Sequence, residues 1–417
     1  MDTPSHSALF RVFGRIGLMS FGGPAAQIAL MHRELVEKRG WLDEDQFLRA
    51  LSFCMLLPGP EAMQLATYSG WRLRGVPGGL AAGLLFVLPG AAVVLSLAMA
   101  YGAWGGVPLA KALFLGVKAT VVVIVIEALL KVARRALHGP GRWAIAGLSF
   151  LGIFALALPF PLIIGLAALY GHLTARGAPP PAPATADQPK TVATIALWAA
   201  VWLVPLALLW LIHPGLLAQI ALFFSKLAVV TFGGAYAVLA YMTQAVVAEH
   251  GWLSTPEMMD GLGLAETTPG PLILVTEFVG YLAAFKAGGW AMGMAGALVT
   301  LWMTFAPCFL WIFAGAPYID RLAHLPRLSA ALSAVTAAVV GVILNLSLWF
   351  AAHVFFGTVG LWRAGPVHLI APDPATLDPA ALALALVAGA LLLWRRWNLL
   401  TVLALMALLG AAAGAIR

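Results

Sequence analysis

The side chains of this sequence able to carry charge through an apolar setting are few. Four carboxylates, Glu61, Glu127, Glu266 and Glu277, and two cations, Arg15 and Lys226, fall within or against apolar runs. An ionisable group at membrane depth costs about 2.5–3.5 kcal/mol or more, which makes each a functional candidate. A carboxylate that gains and loses a proton in a dry site can couple proton flow to movement of a bound ion. A cation there balances an anion or, alternatively, snorkels to the membrane edge. Arg15 and Lys226 stand in matching places, five residues before Ser20 and Thr231. Glu127 precedes Lys131 by four residues, the spacing of a helix-surface ion pair, which is its structural alternative. Ser20, Gln64, Thr67, Thr231, Thr267 and Thr268 add neutral donors close to four Gly- or Pro-rich breaks.

Other chemistries find no support. Cys54 and Cys308 form no Cys-x-x-Cys pair, and the nine histidines lack metal-helix spacing, so no disulfide, metal or cofactor is expected. No phosphate-binding Gly-x-x-x-x-Gly-Lys-Ser/Thr loop occurs, which excludes a nucleotide motor within the chain. With no nucleophile–base pair visible, the chain reads as a non-enzyme.

These residues sit in a matrix built for lipid. Of 417 residues, 62% are hydrophobic and 10% charged, against about 25% charged in soluble domains. Leu80–Ala103, Trp143–Tyr170 and Thr191–Ile212 carry no charge, and Leu382–Trp394 is a further apolar stretch. About 20 apolar residues span a bilayer, so the expected fold is an all-α polytopic membrane protein of roughly 10–13 segments. The start lacks a basic region followed by an apolar core, so no cleaved signal peptide is expected. The net charge of +7 is assigned to loops held on the cytoplasmic side, and no nucleic-acid partner is expected.

The chain is also internally repeated. Ser20-Phe21-Gly22-Gly23 recurs as Thr231-Phe232-Gly233-Gly234, Gly40-Trp41-Leu42 as Gly251-Trp252-Leu253, and Pro58-Gly59-Pro60 as Pro269-Gly270-Pro271, all at an offset of 211. With a one-residue slip Gly70 matches Gly280 and Gly78-Gly79 matches Gly288-Gly289; at an offset of 218, Gly116–Leu130 resembles Ala334–Leu348. The expected halves are 1–175 and 192–417, joined by a Pro-rich exposed linker over 176–191. The segment between the first-half motifs holds Arg33, Lys38, Arg39 and Arg49, whereas Met242–Asp260 holds no Lys or Arg. Lys131, Arg134, Arg135 and Arg142 likewise face only Arg363. By the positive-inside rule the halves are inverted repeats.

The breaks are where substrate is expected. Asp43-Glu44-Asp45-Gln46 and Ser254-Thr255-Pro256-Glu257 have the pattern of helix starts. The apolar run that follows in the first half, Ala50–Leu57, is too short to span, and Pro58-Gly59-Pro60 ends it before a second short helix, Glu61–Arg72. Two short arms read as a re-entrant or discontinuous helix, and basic residues at both ends favour re-entry. Non-helical backbone at membrane depth must be buried or line a polar cavity. The free N–H groups of a new helix, with about +0.5 charge per N-terminus, suit an anion, and four such ends supply at most about +2. Close helix packing at Gly is the structural alternative. The expected binding residues are Arg15, Ser20, Phe21, Gly22, Gly23, Pro58, Gly59, Pro60, Glu61 and Gln64, with Lys226, Thr231, Phe232, Gly233, Gly234, Thr267, Thr268, Pro269, Gly270 and Pro271. Proton coupling is expected at Glu61, Glu127, Glu266 or Glu277.

Several blocks resemble the chromate ion transporter family in its long, fused two-domain form. In the first half they are Ser20-Phe21-Gly22-Gly23-Pro24, Lys38-Arg39-Gly40-Trp41-Leu42, Leu57-Pro58-Gly59-Pro60-Glu61 and Phe86-Val87-Leu88-Pro89-Gly90. In the second they are Thr231–Val238 and Gly263–Leu272. The resemblance implies efflux of chromate across the bacterial inner membrane, driven by the proton gradient or membrane potential, with chromate resistance as the outcome and sulfate as competitor. Chromate and sulfate are the ions it implies; the apolar runs make the lipid bilayer a further expected partner, and a second copy of the chain is one more. Many relatives carry small hydroxyl residues after Pro-Gly-Pro, where this chain has Glu61-Ala62-Met63-Gln64. A sulfate transporter and an anion channel are the competing readings.

Overall fold

The computed structural model describes residues 4–21, 23–175, 191–212, 214–232, 235–319 and 325–415. The Pro-rich stretch at 176–190 and Gly22, Gly233 and Gly234 lie outside the described residues. The first repeat contributes helices α1 (His6–Met19), α2 (Gly23–His32), α3 (Glu44–Cys54), α4 (Glu61–Trp104), α5 (Pro108–Ala136), α6 (Pro140–Phe154) and α7 (Phe160–Thr174). The second contributes α8 (Thr191–Ile212), α9 (Leu216–Val230), α10 (Ala235–Gln244), α11 (Thr255–Thr267), α12 (Val275–Gly315) and α13 (Pro326–Phe355). A short antiparallel hairpin, β1 (Val359–Ala364) with β2 (Val367–Pro372), precedes α14 (Pro379–Gly389) and α15 (Leu399–Ala415).

The chain is an all-α polytopic membrane protein apart from that hairpin. Five described stretches are long and apolar enough to cross a bilayer: Glu61–Trp104, Pro108–Ala136, Thr191–Ile212, Leu272–Tyr318 and Pro326–Phe355. Over Thr191–Ile212 only 6% of the most apolar window is buried, so that apolar surface needs lipid against it.

Local chemistry sets the helix ends as expected. Asp43 Oδ1 accepts from Gln46 N at 2.7 Å at the start of α3. At the start of α11, Ser254 N donates to Glu257 Oε2 at 2.7 Å while Glu257 N donates to Ser254 Oγ at 3.4 Å, a reciprocal cap. The basic segment after α2 is pinned by Glu34, whose buried carboxylate takes Lys38 at 2.8 Å and also Arg39.

Both α4 and α12 fold back on themselves. A Cβ built on Gly70 would lie 2.2 Å from the Gly78 carbonyl oxygen, whereas residues eight apart in a straight helix are about 12 Å apart. The reversal occurs at Arg74 (φ −144°, ψ 28°) and Gly75 (φ 62°, ψ −157°), and it recurs at Gly288 (φ −153°, ψ 21°) and Gly289 (φ 71°, ψ −161°). The conformational partner of Gly288-Gly289 is therefore Arg74-Gly75, not Gly78-Gly79. Nineteen residues separate Pro269 from Gly288 and sixteen separate Pro58 from Arg74, so the second arm is longer and the simple offset fails there. Small residues let the arms approach: a Cβ on Gly70 would meet Ala82 Cβ at 2.5 Å, and one on Gly296 would meet Ala284 Cβ at 2.6 Å.

The described chain divides into two compact units, each drawing on both repeats. One comprises Met1–Met99, Ala175–Ala235 and Thr268–Ser329. Within it α8 and α9 pack on α12, and Trp198 lies against Phe309 and Phe313 at 5.7 and 5.0 Å. The other comprises Ala100–Thr174, Tyr236–Thr267 and Ala330–Arg417. It is centred on α5, against which α11, α14 and α15 pack. Gly116 there leaves no room for a side chain beside the Met406 carbonyl, 1.7 Å from its would-be Cβ.

Candidate anion site at the helix breaks

The four breaks interlock across the repeat within the first unit. Gly59 N donates to the Thr231 carbonyl at 2.9 Å, and Gly270 N donates to the Ser20 carbonyl at 2.8 Å. Each Pro-Gly-Pro of one half thus satisfies the carbonyl left open where a helix stops in the other half. Gly59 (φ +120°) and Gly270 (φ +91°) need the conformational freedom of glycine. Their backing is also paired. A Cβ on Gly59 would lie 2.9 Å from Cys308 Sγ, and a Cβ on Gly90 would lie 2.3 Å from the Pro269 carbonyl. Cys308 and Gly90 correspond at the offset of 218, which explains the glycine of the Leu88-Pro89-Gly90 block.

Around this interlock lies a small cavity lined by Pro24, Gln27, Gly59, Pro60, Glu61, Ala62, Thr231, Pro271, Leu272 and Ile273. Three helical starts meet there: α2 through Pro24 and Gln27, α4 through Glu61 and Ala62, and the 3-10 turn Leu272–Leu274 that leads into α12. First-turn N–H groups have no intrahelical acceptor and point along the positive end of the helix dipole. Helix starts of this kind suit negative charge. Its free volume is about 20 Å³, room for about one water and too little for an ion with four oxygens. Binding such an ion therefore requires the breaks to separate.

The expected residues divide by position. Gly59, Pro60, Glu61, Thr231 and Pro271 line the cavity. Gly23 starts α2 (φ +80°), with Phe21 exposed beside it, and Phe232 is half-buried. Several hydroxyl protons are spent locally. Ser20 Oγ donates to the Ile16 carbonyl at 2.6 Å and Thr231 Oγ1 to the Leu227 carbonyl at 2.5 Å, a repeat-related pair, and Thr267 Oγ1 donates to Leu264 at 2.7 Å. Thr67 Oγ1 does the same toward Met63, and Thr268 is buried. Gln64 Nε2 braces the first break by donating to the Pro58 carbonyl at 2.7 Å, with Oε1 buried and without a hydrogen-bond partner among the described residues. Arg15 and Lys226 are exposed and do not line the cavity.

The carboxylates also separate. Glu61 stands at the cavity. Glu277, 1% exposed, lies on α12, and neither oxygen has a hydrogen-bond partner among the described residues. In the other unit, Glu266 accepts from Tyr236 Oη at 3.0 Å, and Glu127 makes its i,i+4 pair with Lys131 at 2.5 Å.

Two features are not marked by any motif. Gln27 Nε2 donates to the Gly270 carbonyl at 2.7 Å, clamping the second break, while its buried Oε1 has no hydrogen-bond partner among the described residues. Its repeat equivalent is Val238, so the repeat does not mark it; a lone amide in an apolar run is the sequence signal. In the second unit Asp260 lies between Lys118 Nζ (3.1 Å) and Tyr101 Oη (2.7 Å), tying α11 to α5. Lys118 within an apolar run was the clue, and its partner is far away in sequence.

The sequence pattern of the chromate transporter family matches residues 7–172 and 218–413. A chromate transport protein of Cupriavidus metallidurans is 32% identical over 80% of this chain and 80% of its own length. A probable chromate transport protein of Synechococcus elongatus is 30% identical over 90% of this chain and 94% of its own. A chromate transport protein of Pseudomonas aeruginosa is 33% identical over 81% and 79%. No solved structure matches the chain. Two family matches in one polypeptide, on the same breaks that interlock in the fold, place this chain in the chromate transporter family.

Proposed function

We propose that the chain is a secondary active transporter, not an enzyme or channel, that exports chromate from the cytoplasm across the bacterial inner membrane and so confers resistance. The observation that carries this reading is the meeting of three helical starts on one cavity with no basic side chain among its lining residues. Backbone dipoles hold an anion without a fixed full charge, which leaves release easy. The cargo's identity as chromate follows the family; sulfate, which has the same tetrahedral shape and charge, is the second reading.

Coupling to the proton gradient or membrane potential rests on the carboxylates. Ionised Glu61 opposes an anion at the α4 start, and protonation removes that opposition. Glu277 is a second proton carrier, buried in the same unit. The domains in this reading are two transporter repeats, 1–175 and 192–417, with 176–191 as linker, inserted in opposite orientations. Labelling of single cysteines placed in 31–49 and in 242–260 from opposite sides supports the inverted arrangement; labelling from one side contradicts it. Inverted vesicles given labelled chromate or labelled sulfate test the cargo. Accumulation of chromate that excess sulfate only partly blocks is expected, and accumulation of sulfate alone would replace chromate with sulfate.

A further inference from the structure

A second cavity, about 200 Å³ against about 20 Å³ at the breaks, lies wholly in the second unit. Thr243 and Gln244 of α10, Thr255 at the start of α11, Asn345 and Trp349 of α13, and His368 of the β-hairpin face it. The hairpin forms one wall and is fastened by His368 N donating to the Ala155 carbonyl at 2.8 Å. Thr243 is 2% exposed, and its Oγ1 has no hydrogen-bond partner among the described residues. A buried hydroxyl left unpaired is costly.

The first half carries different chemistry at the matching positions. At the offset of 211, Thr243, Gln244 and Thr255 correspond to His32, Arg33 and Glu44; at 218, Asn345 and Trp349 correspond to Glu127 and Lys131. In the first half His32 Nε2 and Glu44 Oε2 meet at 2.7 Å, and Lys131 pairs with Glu127. In the second half every one of these ionisable side chains is replaced by a neutral hydroxyl, amide or indole. The His32–Glu44 bridge that joins α2 to α3 thus has no counterpart between Thr243 of α10 and Thr255 of α11.

We infer that this cavity is a second binding site for a small tetrahedral oxyanion, held by neutral O–H and N–H donors around Thr243, Gln244 and Asn345. The inference rests on the cargo reading above. No carboxylate or fixed cation lines the cavity, so the ion is neither repelled nor trapped, as a waiting site along a transport path requires. The volume admits the ion with part of its hydration, and water can bridge to donors that do not reach it.

Equilibrium dialysis of labelled chromate against the purified full-length chain in nanodiscs tests this. Two ions per chain are expected for the unaltered protein and for Thr243→Ser. One is expected for Thr243→Val/Asn345→Leu. Gln244→Glu, which keeps the volume and adds a like charge, should also bind one, and it serves if the double variant does not fold. Two ions retained by Gln244→Glu, or one ion in the unaltered protein and in all variants, would overturn the second site while leaving the first intact. No ion bound by the unaltered protein would overturn the cargo reading as well.

Discussion

Replacement of Glu61 by Gln isolates the electrostatics of the breaks, because it removes a charge while keeping the shape of a residue that lines the cavity. Three helical starts at about +0.5 each give the site about +1.5, and an ionised Glu61 lowers that to about +0.5. Two unit charges 4 Å apart interact by about 4 kcal/mol at the effective dielectric of a protein, and a dianion roughly doubles this. Even a quarter of that, about 2 kcal/mol, exceeds a tenfold change in affinity. Chromate binding to the purified protein, measured by calorimetry from acid to alkaline pH, gives the comparison. Glu61→Gln should bind more than tenfold more tightly at alkaline pH. Protonation of chromate is common to both and cancels in their ratio. Equal affinities at every pH would refute the placement of Glu61 at the anion.

Other parts of the fold make their own predictions. Asp260→Asn breaks the largely buried pair with Lys118 and should cost at most about 3–5 kcal/mol of stability, whereas Lys118→Met/Asp260→Leu/Tyr101→Phe, which leaves no partner over, should recover part of it; thermal unfolding of both variants decides this. Gly70→Leu, aimed at a carbonyl 2.2 Å from its Cβ, should destabilise by at least about 1–3 kcal/mol, while Gly106→Ala, with open space around it, should not; denaturation midpoints measure the difference. His32 is held above its ordinary value by its hydrogen bond to Glu44, with Glu37 adding to it against burial. Its contribution is full below about pH 6.5 and is lost as pH rises through the raised value. The unaltered protein should therefore lose more stability than His32→Gln between pH 6 and 9, and parallel unfolding curves would contradict this.

Much of the fold was legible because membrane constraints write themselves into composition and because the repeat doubles every signal. Ser20 and Thr231, or Gly59 and Gly270, declared themselves as pairs, and the structure joins those same residues reciprocally. What pairing could not show was asymmetry. Gln27 has an apolar counterpart, and Thr243 gives no sign in sequence that its hydroxyl would be left over in a cavity. The backward fold at Arg74-Gly75 was hidden because its partner is Gly288-Gly289, and one Gly in common is a weak match. Arg15 and Lys226 were matched in sequence, yet helix phase turns both outward while Ile16, Ser20, Leu227 and Thr231 face inward. Spacing along a chain reports equivalence between repeats; the face a side chain takes depends on the neighbours it meets.

If the interlocked breaks carry chromate, its movement must follow an imposed gradient. Reconstitution of the purified chain into proteoliposomes, with pH and voltage gradients imposed separately, tests it most directly. Chromate should move against its own concentration gradient when a gradient is imposed, and stop when protonophore dissipates the driving force. Folded, correctly inserted protein that leaves chromate where it started would contradict it.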